Sequence, residues 1–208
     1  MPNGTVDSTG SHFWNATDAC CNLYGSTVDD SSYLSGVITQ IEARYTVDPK
    51  RVFIVGHSNG AFMAYRMACD HADQVVAIAS LAGAMWEDTS KCQPSAPVSM
   101  VEIHGTADMT IAYGGGVIGD AAFPSAPTSV GDWVTFNACG TTPDTTSPAL
   151  DLDTGLAGDE TSVTKYATGC MPGGHAELWT INGGMHIPTL SATFSPDVIN
   201  FLLTHARP

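Results

Sequence analysis

Residues 51–67, RVFIVGHSNGAFMAYRM, constrain the fold more than any other stretch of the chain. Val52, Phe53, Ile54 and Val55 form an apolar run, rich in β-branched residues and too short for a helix, as in a buried parallel strand. Ala61 to Met67 are good helix formers with no breaker among them. Between the two stands Gly56-His57-Ser58-Asn59-Gly60, a G-x-S-x-G. A strand that turns this sharply into a helix strains its apex residue and crowds the neighbours until a Cβ no longer fits, so glycines flank the apex. The Oγ of Ser58 then stands above the sheet at the positive end of the new helix, where an oxyanion is favoured. The strand before and the helix after favour a nucleophilic serine over a glycine-rich turn with a bystander hydroxyl.

Three more apolar runs read as buried strands: residues 75–82, 98–103 and 176–181, ending at Gly83, at His104-Gly105 and at Gly183-Gly184. Helical spacing marks residues 33–45 behind the cap residues Asp29 to Ser32, then about 130–138, then 193–205. Residues 1–28 read as loop, 105–128 as Gly/Pro-rich loop, and 140–160 as a polar excursion or short hairpin. Strands alternating with helices imply an α/β fold with a mostly parallel sheet and helices on both faces. With no repeat and no second composition, residues 1–208 read as a single domain. Ligands of such sheets bind at the carboxyl ends of the strands.

Composition narrows the function. The formal charge is −14 with only seven Lys and Arg, which repels phosphate backbones and excludes nucleic acid as a partner. No run approaches the ~18–20 apolar residues of a membrane span, so no membrane partner is expected. Six cysteines in no C-x-x-C or zinc spacing favour disulfides, and with them a secreted or periplasmic setting. Met1-Pro2-Asn3-Gly4-Thr5 does not read as a signal peptide, so the expectation is a leader removed or not included. The acidic stretch around Asp151, Asp153, Asp159 and Glu160 lacks the ligand spacing of a calcium loop and reads as a solvated loop. Neither a metal nor a cofactor is called for.

A serine hydroxyl needs a histidine to take its proton and an acid to hold that histidine's tautomer. In this topology the order along the chain is Ser, then Asp or Glu, then His. Asp108, in His104-Gly105-Thr106-Ala107-Asp108, follows the third strand, and His186, in Gly184-Met185-His186-Ile187-Pro188, follows the fourth. Asp120 and Asp132 lie farther from a strand end. His175 precedes the fourth strand and belongs at the opposite edge of the sheet, His57 points sideways from the elbow, and His104 packs at a strand end. Trp86, beyond a strand end, and Trp14 are candidates for the wall of a substrate site, although Trp86 suits a core equally well. Trp133 and Trp179 read as core.

Together, Gly56-His57-Ser58-Asn59-Gly60-Ala61-Phe62-Met63, Ala82-Gly83-Ala84, the 104–108 segment and the 184–188 segment resemble the α/β-hydrolases of the polyhydroxybutyrate-depolymerase and feruloyl-esterase type, related to carbohydrate esterase family 1. The resemblance extends to Phe13-Trp14-Asn15-Ala16-Thr17-Asp18-Ala19-Cys20-Cys21 and covers nearly the whole chain. It implies a secreted serine esterase acting on polyester, feruloyl- or acetyl-sugar, or short-chain acyl esters. It further implies a Ser58, Asp108 and His186 triad, an oxyanion held by the Asn59 amide, and disulfides pairing Cys69 with Cys92 and Cys139 with Cys170. Cys20 and Cys21 are either a vicinal disulfide or two thiols. Members of that family carry further strands ahead of the position where this sequence starts, one of them ending in a His-Gly loop that gives a second oxyanion amide. The expectation is therefore an N-terminally shortened sheet whose 52–55 strand has an open edge, and either a homodimer through that edge or a poorly stable fragment. A serine peptidase on the same fold, or a binding module without a complete oxyanion hole, is the competing reading.

Overall fold

A computed structural model describes all 208 residues. In chain order it contains β1 (Thr5–Val6), β2 (His12–Phe13), α1 (Asp30–Glu42), β3 (Phe53–His57), α2 (Asn59–Asp70), β4 (Ala77–Leu81), β5 (Ser99–Gly105), β6 (Gly116–Ile118), β7 (Ala121–Phe123), α3 (Ala126–Phe136), β8 (Thr161–Tyr166), β9 (Ala176–Ile181) and α4 (Phe194–Thr204). The main sheet has the order β3-β4-β5-β9-β8. Its first four strands are parallel, and β8 joins antiparallel to β9.

Side-chain alternation divides the core into two halves. Ile78, Met100 and Leu178 point to the face that α2 and α3 cover, with Phe62, Tyr65, Met67 and Trp133. Ala77, Ala79, Val101, Ile103 and Trp179 point to the other face, where α4 lays down Val198, Phe201 and Leu202. Both halves are apolar, so the parallel strands read as continuous hydrophobic runs. Burying a side chain of Phe or Ile size contributes about 1.5–3 kcal/mol, and this packing fixes the strands. Trp133 and Trp179 are core residues, as expected. The Trp133 indole N–H donates to the Val98 carbonyl over 2.7 Å, which ties α3 to the start of β5.

Capping sets the helix starts. The Asp29 side chain accepts from the Ser32 amide ahead of α1, and the Ser125 hydroxyl accepts from the Thr128 amide ahead of α3. Helix α3 begins at Ala126 rather than near residue 130, because Pro127 sits in its first turn, where a missing N–H costs nothing. The structure adds three pairings that the sequence patterns do not display. Strand β8 carries a single large apolar inward residue, Val163, which is too weak an alternation to stand out. The β1–β2 and β6–β7 ribbons are two- and three-residue pairings inside Gly-rich loops. The 140–160 excursion is tied to β8 by bridges Asp144↔Lys165 and Leu150↔Thr161. Two of its acidic residues are structural rather than solvated: Asp153 Oδ1 accepts from the Gly155 and Thr189 amides, and Glu160 Oε1 from the Leu152 and Asp153 amides, whereas Asp151 and Asp159 are exposed, as expected.

All six cysteines are bridged: Cys20–Cys21, Cys69–Cys92 and Cys139–Cys170. On its outer side β3 has no partner. There it borders an apolar groove of about 460 Å³ between the strand and Leu34, Val37, Ile38 and Ile41 of α1. Val55 is 57% exposed in it.

Candidate active site

The elbow is built as the G-x-S-x-G spacing requires. Ser58 has φ 55° and ψ −121°, a conformation that side chains rarely adopt and that the tight strand-to-helix turn imposes. A Cβ on Gly56 would strike the Gly60 carbonyl, so this glycine is a steric necessity. Gly60 is different. A Cβ there meets nothing within 4 Å, because the residue faces the open groove beside β3. The Ser58 amide donates to the Leu81 carbonyl over 2.8 Å and locks the elbow to β4.

Two more strand ends converge on the serine through a second pair of glycines. A Cβ on Gly105, at the end of β5, would collide with the Gly184 carbonyl beyond β9. Their close approach lets the Ala107 amide donate to the Gly184 carbonyl over 2.9 Å, and the Gly183 amide to the Thr106 hydroxyl over 2.8 Å. The two loops are thereby joined, and they deliver Asp108 and His186 to the same place. His186 Nε2 lies 2.9 Å from Ser58 Oγ, and His186 Nδ1 lies 2.8 Å from Asp108 Oδ2. The other carboxylate oxygen of Asp108 accepts from the Thr110 and Ile111 amides, each over 2.8 Å. Burial alone would raise the Asp108 pKa, but hydrogen bonds from His104, His186 and these amides outweigh it and hold the carboxyl well below the usual carboxylate range.

His104 extends the constellation inward. It is 1% exposed, and both ring nitrogens face acceptors. Nδ1 lies 2.9 Å from Glu102 Oε1, while Nε2 lies 2.8 Å from the Ile111 carbonyl and 3.4 Å from Asp108 Oδ2. A neutral imidazole has one donor only, so this arrangement calls for the imidazolium. Burial works against the charge, but Asp108 and Glu102 overcome it and lift the His104 pKa to about 10. Tyr65 donates to the second oxygen of Glu102 over 3.0 Å. A buried line of groups thus runs from Tyr65 through Glu102, His104, Asp108 and His186 to Ser58. Outside that line, His57 Nε2 lies 2.8 Å from the His186 carbonyl and braces its loop. Glu102 and Tyr65 carry no motif, since a carboxylate in a buried strand and a tyrosine in a helix read as ordinary positions. Their signal lies in the period: Glu102 and His104 are two apart on one strand and share a face.

The remaining expected site residues separate. Asn59 heads α2, so its amide has no intrahelical acceptor and is free to face a developing oxyanion. Its side chain is occupied elsewhere: Oδ1 accepts from the Trp14 amide over 2.6 Å, and Nδ2 donates to the Trp14 carbonyl over 2.9 Å. Trp14 lies along the groove beside β3, its ring stacked on Tyr33 at 6.4 Å. Trp86 belongs to the core and not to a site wall. It is 7% exposed, because the segment after β4 turns inward, where the Met85 amide meets the Ser129 hydroxyl of α3. His175 lies at the opposite edge of the sheet, as its place before β9 requires. Asp132 is in α3, and Asp120 is in the β6–β7 turn.

With this geometry in hand, comparison with known proteins is informative. A family model described as "Putative esterase" matches residues 14–122. Feruloyl esterase B of Piromyces equi is 28% identical over 181 residues, 83% of this chain and 31% of that protein. A bifunctional acetylxylan esterase/xylanase of Neocallimastix patriciarum is 32% identical over 84 residues, 40% of this chain and 12% of that protein. The chain therefore spans less than a third of the length of these relatives. Among solved structures, acetyl xylan esterase from Aspergillus awamori superposes with a TM-score of 0.59 at 14% identity, over 85% of this chain and 68% of that one. That likeness carries the fold, an α/β-hydrolase sheet with helices on both faces. The family match spans more than half of the chain and includes both the elbow and Asp108, and on that ground this protein belongs to the putative esterase family.

Proposed function

We propose that the chain is a serine carboxylic ester hydrolase that works through an acyl-enzyme. The observation that carries this reading is the pair of hydrogen bonds through His186, 2.9 Å to Ser58 Oγ and 2.8 Å to Asp108, assembled from the ends of β3, β5 and β9. Ser58 Oγ attacks the ester carbonyl while its proton passes to His186 Nε2. The carbonyl oxygen becomes an oxyanion facing the Asn59 amide at the positive end of α2. Asp108 keeps the Nδ1 proton of His186 in place and stabilises the imidazolium. As the tetrahedral species collapses, the C–O bond to the leaving group breaks and His186 returns the proton to the departing alkoxide. Water then attacks the acyl carbon with His186 as base, the acid is released, and Ser58 regains its proton.

The relatives' names include a feruloyl esterase and an acetylxylan esterase/xylanase, so the substrate class proposed is an acyl ester of a plant-wall carbohydrate, feruloyl or acetyl. Three disulfides suit work outside the cell. The test is a panel on the purified protein: methyl ferulate, acetylated xylan, a polyhydroxyalkanoate film, short-chain nitrophenyl esters and peptide anilides. Turnover of the carbohydrate-type esters above the rest supports the substrate class. Cleavage of anilides in preference to all esters would point to the peptidase instead. A stoichiometric acylation burst with no turnover would mean a binding module.

A further inference from the structure

A second cluster of functional groups lies at the far end of the sheet from Ser58. His175 immediately precedes β9, Glu177 is its second residue, and His205 caps the end of α4. One ligand atom from each can be chosen so that all three lie within 4.8 Å of one another. His175 and Glu177 are buried, and the two imidazoles stack with centroids 4.2 Å apart.

The partners of these groups orient them. The Nδ1–H of His205 donates to the Phe201 carbonyl over 2.7 Å, so the lone pair is on Nε2. The Trp179 indole N–H donates to Glu177 Oε2 over 2.6 Å, which leaves Oε1 for another partner. At present that partner is His175 Nε2, at 2.7 Å. His205 and Glu177 are thus anchored at their far atoms by a carbonyl and an N–H, as metal-binding side chains are held. Glu177 and His205 border a cavity of about 270 Å³ that also meets Asp197 and Asn200, with room for a water as fourth ligand. Lys165 is the cation in reach, with Nζ 3.9 Å from Glu177 Oε1 and its side chain 36% exposed, free to turn to solvent.

We infer that His175, Glu177 and His205 form a binding site for a late first-row divalent cation, zinc being the best match. Two imidazoles and one carboxylate suit Zn²⁺ over Ca²⁺ or Mg²⁺, which demand oxygen ligands. Closing on the ion brings each ligand atom to ~2.0–2.2 Å from the metal, with His175 in the tautomer that carries its proton on Nδ1 and leaves the Nε2 lone pair for the ion. The inference stands independently of the ester chemistry, because no residue is shared with Ser58, His186 or Asp108.

The test uses the full chain without a histidine tag, stripped with chelator and titrated calorimetrically with ZnCl₂, in parallel with His205→Ala and His186→Ala. The site predicts one Zn²⁺ per chain, an affinity at least ~10-fold weaker in His205→Ala, and no change in His186→Ala, which removes the only other paired imidazoles. Co²⁺ in place of zinc should give the visible d–d bands of a four-coordinate ion in the wild type and lose them in His205→Ala. Should His205→Ala fail to fold by circular dichroism, His205→Gln replaces it, since the amide can still reach the Phe201 carbonyl. Absence of zinc binding to the wild type, or stoichiometric binding that survives loss of His205 or disappears with His186, overturns the inference.

Discussion

The buried charge on His104 makes a quantitative prediction. Replacing His104 with leucine removes a cation held by Glu102 at 2.9 Å and by Asp108 at 3.4 Å, and strands the Glu102 carboxylate, which has no exposure to solvent. Breaking a buried pair from one side costs about 3–5 kcal/mol. The linkage argument gives a similar figure and its pH dependence. The folded pKa of His104 is about 10 against an ordinary 6.5, so the group is raised and its contribution is complete below 6.5. Between 6.5 and 10 the contribution falls by about 1.4 kcal/mol per pH unit and is lost above it. At pH 7 the expected deficit of His104→Leu is therefore ~4 kcal/mol, shrinking to under ~1 kcal/mol near pH 10. Urea unfolding followed by tryptophan fluorescence at pH 6.5, 8 and 10, with the disulfides intact, measures it. Pairing His104→Leu with Glu102→Leu should recover part of the loss, because the stranded Glu102 charge is removed while Asp108 keeps its hydrogen bonds from His186 and the Thr110 and Ile111 amides. A deficit that stays constant from pH 6.5 to 10, or one below ~1 kcal/mol at pH 7, would refute the buried imidazolium.

Other consequences follow from single contacts. Asp108→Asn keeps the shape but can reverse the His186 tautomer, and kcat on a nitrophenyl ester should fall by ~10³–10⁴-fold with KM little changed. The Cys69–Cys92 and Cys139–Cys170 bridges close loops of 23 and 31 residues, so removing either by paired Cys→Ala changes should cost ~3–4 kcal/mol in the same unfolding experiment. The open side of β3 predicts association between copies of the chain, visible by light scattering, and Val55→Lys should shift the population towards monomer. A wild type that is monomeric throughout would remove that reading.

Most of the parallel part of the fold was legible because β4, β5 and β9 are buried on both faces. Residues 52–55 are a continuous apolar run, 98–103 and 176–181 are mostly apolar with Ser99, Glu102, Glu177 and Thr180 among them, and each coincides with a strand to within two residues. Strand β8 escaped because its one buried large apolar residue, Val163, stands between Thr161 and Lys165 on the same face. The triad candidates were legible from chain order plus strand ends, since a parallel sheet brings successive carboxyl ends to one edge. What supports them was not. That Glu102 and His104 place a cation behind Asp108 depends on Ile111 and Tyr65 folding back over the strand, a tertiary event without a local signature. Trp86 shows the same limit in reverse: its position after β4 suits a site wall, and only the packing against α3 decides for the core. The His175, Glu177 and His205 cluster joins residues thirty positions apart, so no ligand spacing in the sequence announces it.

Covalent titration of Ser58 tests the central claim most directly. The purified chain is treated with an organofluorophosphonate, digested and mapped by mass spectrometry, and its nitrophenyl-ester hydrolysis is followed beside that of Ser58→Ala. The strained elbow and the 2.9 Å bond to His186 predict a single adduct, on Ser58, that forms in step with loss of hydrolysis. They also predict a Ser58→Ala protein that folds, takes no label and has lost at least ~10³-fold in kcat/KM. An adduct on another residue, or hydrolysis that persists in Ser58→Ala near the wild-type rate, would contradict the account.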